Sequence, residues 1–336
     1  MMTRERDTPV AAPAHSRLAA AVELPTLALI CIVYAGWLAI TACFGSLSMW
    51  ILAPVGALVV TLHGSLQHEI IHGHPTRSRR FNRVLGMVPL ALWLPFEHYR
   101  RSHLAHHIND RLTDPHDDPE SFYWTRTDWQ KIGAFGRTLV RWQQTLAGRV
   151  LFGSWLQIGR FLHAEFGLLR RSEAESRAIW SEHVLWCVPV VLWLKFVCAM
   201  PLWIYFVCIV VPANGILLIR SFAEHRARGE VLERTAIVEG SRVLGPLFLF
   251  NNLHALHHAE PLIPWYDYNR RYRATRERLI AENGGLVYAG YLEVARRYLL
   301  RAHDLPEHPT GRVPALRSRP RTAHPPEIVV DYSALP

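Results

Sequence analysis

The sequence predicts an all-α, polytopic membrane protein with four transmembrane helices in two hairpins and a cytoplasmic helical cap that carries most of the histidines. Three observations predict it. Half of the 336 residues are apolar, and they concentrate in four runs at 24–47, 49–67, 184–200 and 202–219. Each run is near the roughly 20 residues a helix needs to cross a bilayer core. The runs come in pairs joined by short uncharged turns, 44–48 and the vicinity of Met200-Pro201, while Arg77, Arg79, Arg80, Arg83, Arg100 and Arg101 follow the second run and Arg220, Arg226 and Arg228 follow the fourth. By the positive-inside rule the N-terminus, residues 68–183 and everything after 220 then face the cytoplasm.

Taken in order, residues 1–23 form a cytoplasmic N-terminal segment with charges and prolines. The first run is longer than the apolar part of a secretory signal and leads straight into a second, so it is read as a retained anchor. Residues 84–95 are apolar but short and interrupted by Pro89 and Pro95; a re-entrant or interfacial segment is expected, since a fifth crossing would strand the following histidines on the far side. Tryptophans 124, 129, 142, 155 and 180, interleaved with arginines, suit helices at headgroup level. Lys195 interrupts the third run near its outer end, where it can snorkel outward. Residues 270–283 and 286–303 read as two helices separated by Gly284-Gly285. The membrane domain so defined is 24–305, and the Pro/Arg-rich tail 306–336 is expected to be extended and partly disordered. Cys31, Cys43, Cys187, Cys198 and Cys208 all lie in apolar stretches at no metal-ligand spacing, which is the pattern of small buried hydrophobes. The net charge of +9 comes from arginines beside apolar faces, with no nucleic-acid recognition module, so no nucleic-acid partner is expected.

The chemistry lies in the histidines. His68-Glu69-Ile70-Ile71-His72 by itself matches H-E-x-x-H, two zinc ligands one helical turn apart with a general base between them. Two further clusters change that reading: His103-x-x-His106-His107 and His254-x-x-His257-His258. Three clusters supply eight imidazoles, more than one zinc ion takes, and neutral nitrogen ligands suit a pair of redox-active metal ions. His225, just past the fourth run, can face the same site as a ninth ligand. His63, inside the second run, is a further possible ligand or a packed histidine; His74 and His116 suit solvated or orienting roles; His15, His163, His303, His308 and His324 lack such context. Imidazole ligands generally have their second nitrogen held by a carboxylate or carbonyl, and Glu69, Asp110, Asp114 and Glu224 are the nearby acidic candidates, with Asn251 and Asn252 available to hold a bound water or cap a helix. A zinc peptidase and a non-enzymatic metal-binding membrane scaffold stay open on this reading.

The motifs Gln67-His68-Glu69-Ile70-Ile71-His72-Gly73-His74-Pro75, Arg101-Ser102-His103-Leu104-Ala105-His106-His107, Phe222-Ala223-Glu224-His225-Arg226 and Asn251-Asn252-Leu253-His254-Ala255-Leu256-His257-His258 resemble the histidine boxes of the integral-membrane fatty acid desaturase family, over about residues 24–270. Within that family the chain is similar to acyl-lipid desaturases and to a bacterial branch that includes the dihydrorhizobitoxine desaturase. The resemblance implies a di-iron site in the cytoplasmic cap, two Fe(2+) ions held by the eight box histidines and His225, and O2 as co-substrate. It also implies electrons from a ferredoxin or cytochrome b5 with an NAD(P)H-dependent reductase, a membrane lipid as substrate, and placement in a bacterial inner membrane. Ser221 stands where animal acyl-CoA desaturases carry asparagine, four residues before the ninth histidine. Desaturation is the expected reaction. Hydroxylation from the same oxidised centre, and desaturation of a small amino-acid-derived substrate, are the alternatives.

Overall fold

The computed structural model describes residues 22–108 and 111–309. Among them, four helices are long and apolar enough to cross a membrane: α1 (Leu24–Ala42), α2 (Met49–Ile71), α8 (Ala174–Val197) and α9 (Leu202–Glu224). Between the two pairs lie α3 (Arg79–Met87), α4 (Phe96–Ile108), α5 (Arg126–Lys131), α6 (Ala134–Gln143) and α7 (Leu146–Arg170). After α9 come α10 (Leu244–Leu247), α11 (His254–Ala259), α12 (Tyr268–Glu282) and α13 (Tyr291–Tyr298). Two short parallel strands, β1 (Ile237–Val238) and β2 (Val287–Tyr288), pair between them.

Local chemistry accounts for the first hairpin. Pro25 occupies the first turn of α1, where no amide hydrogen is needed, and the Ser48 hydroxyl accepts from the Trp50 amide to start α2. The spans differ from the hydropathy runs at their ends. The helix α2 continues to Ile71 rather than stopping at 67, and α9 runs to Glu224 rather than 219. Apolar composition ends where polar side chains begin, but the backbone ladder ends only where the chain turns, at His72 and Gly73 (φ +101°) for α2. Both extensions carry polar residues to the end of the bundle opposite the two short turns.

The segment 84–95 is divided between the end of α3 and an irregular stretch from Val88 to Pro95. Buried side chains satisfy its carbonyls: Tyr205 Oη donates to Leu90 O (2.6 Å), Tyr34 Oη to Leu85 O (2.5 Å) and Gln67 Nε2 to Gly86 O (2.8 Å). Non-helical backbone is tolerated within an apolar bundle on that condition. The long helix α7 packs lengthwise on α9, with Ser154 Oγ donating to Val211 O (3.0 Å) and Asn214 Nδ2 to Gln157 Oε1 (2.9 Å). Gly215 permits the approach, since a Cβ there would meet Val150 O at 3.1 Å.

Two expectations are corrected downstream. Residues 286–303 are not one helix: Val287 and Tyr288 pair with β1, and only Tyr291–Tyr298 is helical. The alternation of apolar with polar residues fits a strand as well as a helix over so short a window, and the pairing with Ile237 and Val238 decides it. The start of the expected tail is also tied down, because Trp124 N donates to Pro306 O (2.8 Å) and His308 N to Trp124 O (3.0 Å).

Candidate metal centre

The end of α2, the helix α4, the residue after α9 and the short helix α11 meet at one place. His68 and His72 lie at the end of α2, and His103, His106 and His107 on α4. His225 follows the last turn of α9 in extended conformation, held by an antiparallel bridge to Thr235. His254, His257 and His258 lie on α11. That helix is set in place by Ala255 N donating to Ala236 O (3.1 Å) and by a turn in which Leu249 and Phe250 take left-handed φ of 49° and 61°. Such conformations are unfavourable for branched or bulky residues and persist only where surrounding structure enforces them.

The imidazoles divide into two groups. His68, His72, His103 and His257 form the first, His106, His225, His254 and His258 the second, with ligand-capable atoms within 4.8 Å of one another in each. His107 joins the first: its Nε2 is 2.8 Å from His257 Nε2 and 3.1 Å from His103 Nε2. The two triplets are thus shared in opposite senses. On α4 the i and i+4 residues serve the first group and i+3 the second; on α11 the i and i+4 residues serve the second and i+3 the first. At about 100° per residue, i+3 and i+4 fall on opposite sides of residue i, so each helix reaches both groups.

The donor set fits metal ions on hydrogen-bonding grounds. His106 Nδ1 is 2.8 Å from Asp118 Oδ1, and His225 Nδ1 is 3.3 Å from Arg234 O. His254 Nδ1 is 3.0 Å from Asn251 Oδ1 and 3.2 Å from Glu224 Oε1. All these partners are acceptors, so the ring proton sits on Nδ1 in each case. The three Nε2 atoms therefore present bare lone pairs to each other at 3.1 Å (His106 to His225) and 2.9 Å (His225 to His254). Facing lone pairs repel unless a cation lies among them. Around an ion with metal–nitrogen bonds of about 2.1 Å, ligands at right angles sit about 3.0 Å apart and tetrahedral ones about 3.4 Å, so the close pairs favour more than four-fold coordination.

Electrostatics agree. Burial, followed by neighbouring imidazoles, holds His72, His103, His254, His257 and His258 well below the ordinary histidine range, and His225 down to about 3. Neutral imidazoles are what metal ligation requires. His106 is the exception: burial opposes its charge, but Glu120, Asp118 and Glu224 outweigh burial and raise it to about 9. An environment that favours positive charge at His106 favours a bound cation there in the same way.

The sequence-derived partners of the ligands are distributed unevenly. Asn251 touches both groups, with Nδ2 3.3 Å from His68 Nε2 in addition to its contact with His254, and Glu224 reaches His254. Asn252 instead donates to Val238 O (2.6 Å), fixing the strand under α11. Asp114 accepts from the His116 and Asp117 amides and shapes a turn. Glu69 is directed to the Trp265 amide (2.8 Å) and to His74 Nε2 (3.8 Å), not among the imidazoles, which removes it from the base position a zinc peptidase needs. Asp110 lies outside the described residues. His63 packs on the Tyr34 ring at 5.7 Å, away from both groups. Three carboxylate or hydroxyl partners escaped the sequence reading: Asp118 on His106, Glu120 on His103 (3.1 Å) and Tyr268 on His257 (2.8 Å). The acidic run 114–120 following the second cluster was the available signal for the first two.

Four apolar helices long enough to span a bilayer, ending in a cage of nine imidazoles divided between two cation positions, define a membrane metal-centre protein. The sequence model of the fatty acid desaturase family matches residues 44–291, and the chain belongs to that family. No curated protein matches the sequence.

Proposed function

We propose that the protein is an O2-dependent di-iron desaturase that introduces a double bond into a fatty acyl chain or related lipid. The observation that carries this reading is the division of nine imidazoles into two adjacent cation positions with no carboxylate ligand between them. Nitrogen-rich sites of this kind suit redox-active ions and leave the coordination sphere short of negative charge. Iron bound there supplies O2 reduction and the oxidising power to remove hydrogen from an unactivated C–H bond. The overall change is balanced when a saturated –CH2–CH2– unit, O2, two protons and two external electrons give –CH=CH– and two waters.

The chain's own groups hold and orient. Asp118, Glu120, Tyr268, Asn251 and the Arg234 carbonyl fix the ring planes and tautomers of their histidines, and such partners raise ligand basicity. Burial of the first group keeps bulk water from its imidazoles. The electrons come from a ferredoxin- or cytochrome b5-type carrier with an NAD(P)H-dependent reductase. The protein is placed in a bacterial inner membrane with the centre on the cytoplasmic side, since the arginines lie at the histidine end of the bundle. The acyl-lipid-like branch that includes the dihydrorhizobitoxine desaturase is the nearest functional parallel by motif.

The test is iron content and product mass. The purified protein in detergent is expected to carry iron rather than zinc and to consume O2 with NAD(P)H, ferredoxin and reductase. A product about 2 Da lighter than its precursor, without label from ¹⁸O2, is the expected result, relative to His106→Ala. A product about 16 Da heavier that carries the label would replace the desaturase reading with a hydroxylase.

A further inference from the structure

We propose that the cavity beside His225 binds a carboxylate of the substrate, with Arg149 as the recognising group. The inference rests on reading the adjoining centre as the oxidising site. The cavity, about 430 Å³, is lined by Arg149, Phe122, Tyr123, Ser221, His225 and His303 among others. It adjoins the second histidine group through His225, and Ser221 lies one turn earlier on α9. Its volume is within the range of small-molecule sites, about 300–1,000 Å³.

Arg149, in the first turn of α7, is 4% exposed. Its Nε donates to Gln143 O (3.0 Å) and its guanidinium carbon lies 4.0 Å from the Phe122 ring centroid. The Nη1 atom has no hydrogen-bond partner among the described residues, and no carboxylate forms an ion pair with Arg149 among them. The acidic side chains in the same wall are otherwise engaged: Asp118 Oδ1 lies 2.8 Å from His106 Nδ1, its Oδ2 accepts from the Thr113 amide (2.8 Å), and Glu120 lies 3.1 Å from His103 Nδ1. Burial lowers Arg149 to about 10, which leaves it cationic at neutral pH.

A buried cation without a counter-charge is costly, and leaving one of its donors unmade adds to the cost. An incoming carboxylate removes both penalties, because it brings negative charge and acceptor oxygens matched to a guanidinium. A neutral group of the same shape supplies only part of this. The arrangement therefore selects an acid, either a small carboxylic acid or the acid end of an acyl chain, and holds the adjoining carbons on the His225 side of the cavity.

The experiment uses the full chain in nanodiscs, with iron measured in the same preparation. Titration calorimetry compares hexanoate with its neutral isostere hexanamide. Hexanoate is expected to bind about tenfold or more tightly, the range of a charge-assisted hydrogen bond. Arg149→Gln is expected to abolish the preference with iron content unchanged, and Arg149→Lys to retain part of it. Equal affinity of the two probes for the wild-type protein would overturn the proposal without recourse to any variant, as would an unaltered preference in Arg149→Gln. A preparation that holds no iron yet still prefers hexanoate would refute the oxidising centre while supporting the carboxylate site.

Discussion

The two histidine groups are built from the same three histidine clusters but differ in enclosure. All four members of the first, His68, His72, His103 and His257, are buried, and His107 adds a fifth imidazole. In the second, His106 and His254 are buried while His225 and His258 are partly exposed, and His225 forms part of a cavity wall. The supporting contacts follow suit. The first group relies on a tyrosine hydroxyl and a glutamate that is 32% exposed, the second on Asp118, 1% exposed, a main-chain carbonyl and the Asn251 amide. One position is sealed and the other accessible. An access route at one ion permits small molecules to approach while the sealed ion stays anchored.

The largest expected effect is at the boundary between the groups and the cavity. His225→Ala should reduce bound iron from about two equivalents to about one and abolish turnover, since a site stripped of a ligand binds its ion far more weakly. Iron analysis and oxygen uptake read both quantities; full iron retention would remove His225 from the centre. Next in size is Asp118→Asn, expected to weaken the second ion by about 10- to 100-fold in chelator competition. Glu120→Gln should weaken the first by less, because solvent screens the half-exposed carboxylate and can replace it. The reverse order would break the comparison. In Tyr268→Phe the first group loses one hydroxyl contact, a change of about 1 kcal/mol in ion affinity, measured by the same competition. His163→Ala, exposed on α7, should leave iron and turnover as in the wild type. A chelator added to the intact protein sharpens the point further: two kinetic phases are expected, the faster one releasing the accessible ion.

The spans and the ligands were legible in the chain for a simple physical reason. Crossing a bilayer demands about 20 apolar residues in succession, and an imidazole must belong to a short local motif to share a helical face with its neighbour. Both are one-dimensional patterns. His225 was legible as a candidate because it follows directly on an apolar run, which fixes its depth. Span ends were less so, because α2 and α9 continue through Glu69 and Glu224 until the backbone turns.

What only the tertiary structure decided is which group each histidine serves and what holds it. Nothing in the spacing of His103, His106 and His107 assigns the first and third to one ion and the second to another; that follows from α4 and α11 facing each other across the centre. The same is true of the supporting shell. Asp114 and Asp118 are both acidic residues shortly after the second cluster, yet one closes a turn and the other reaches His106. Glu69, central to its motif, is drawn away to the Trp265 amide almost two hundred residues on. Arg149 carries no motif, and its unpartnered donor exists only because α7 packs along α9 beside the second histidine group. Sequence by itself determined the solvent, the spans and the ligand types, because those depend on composition and on contacts within one helix. Partner, tautomer and access depend on distances between segments far apart in the chain, and those are set only when the helices pack.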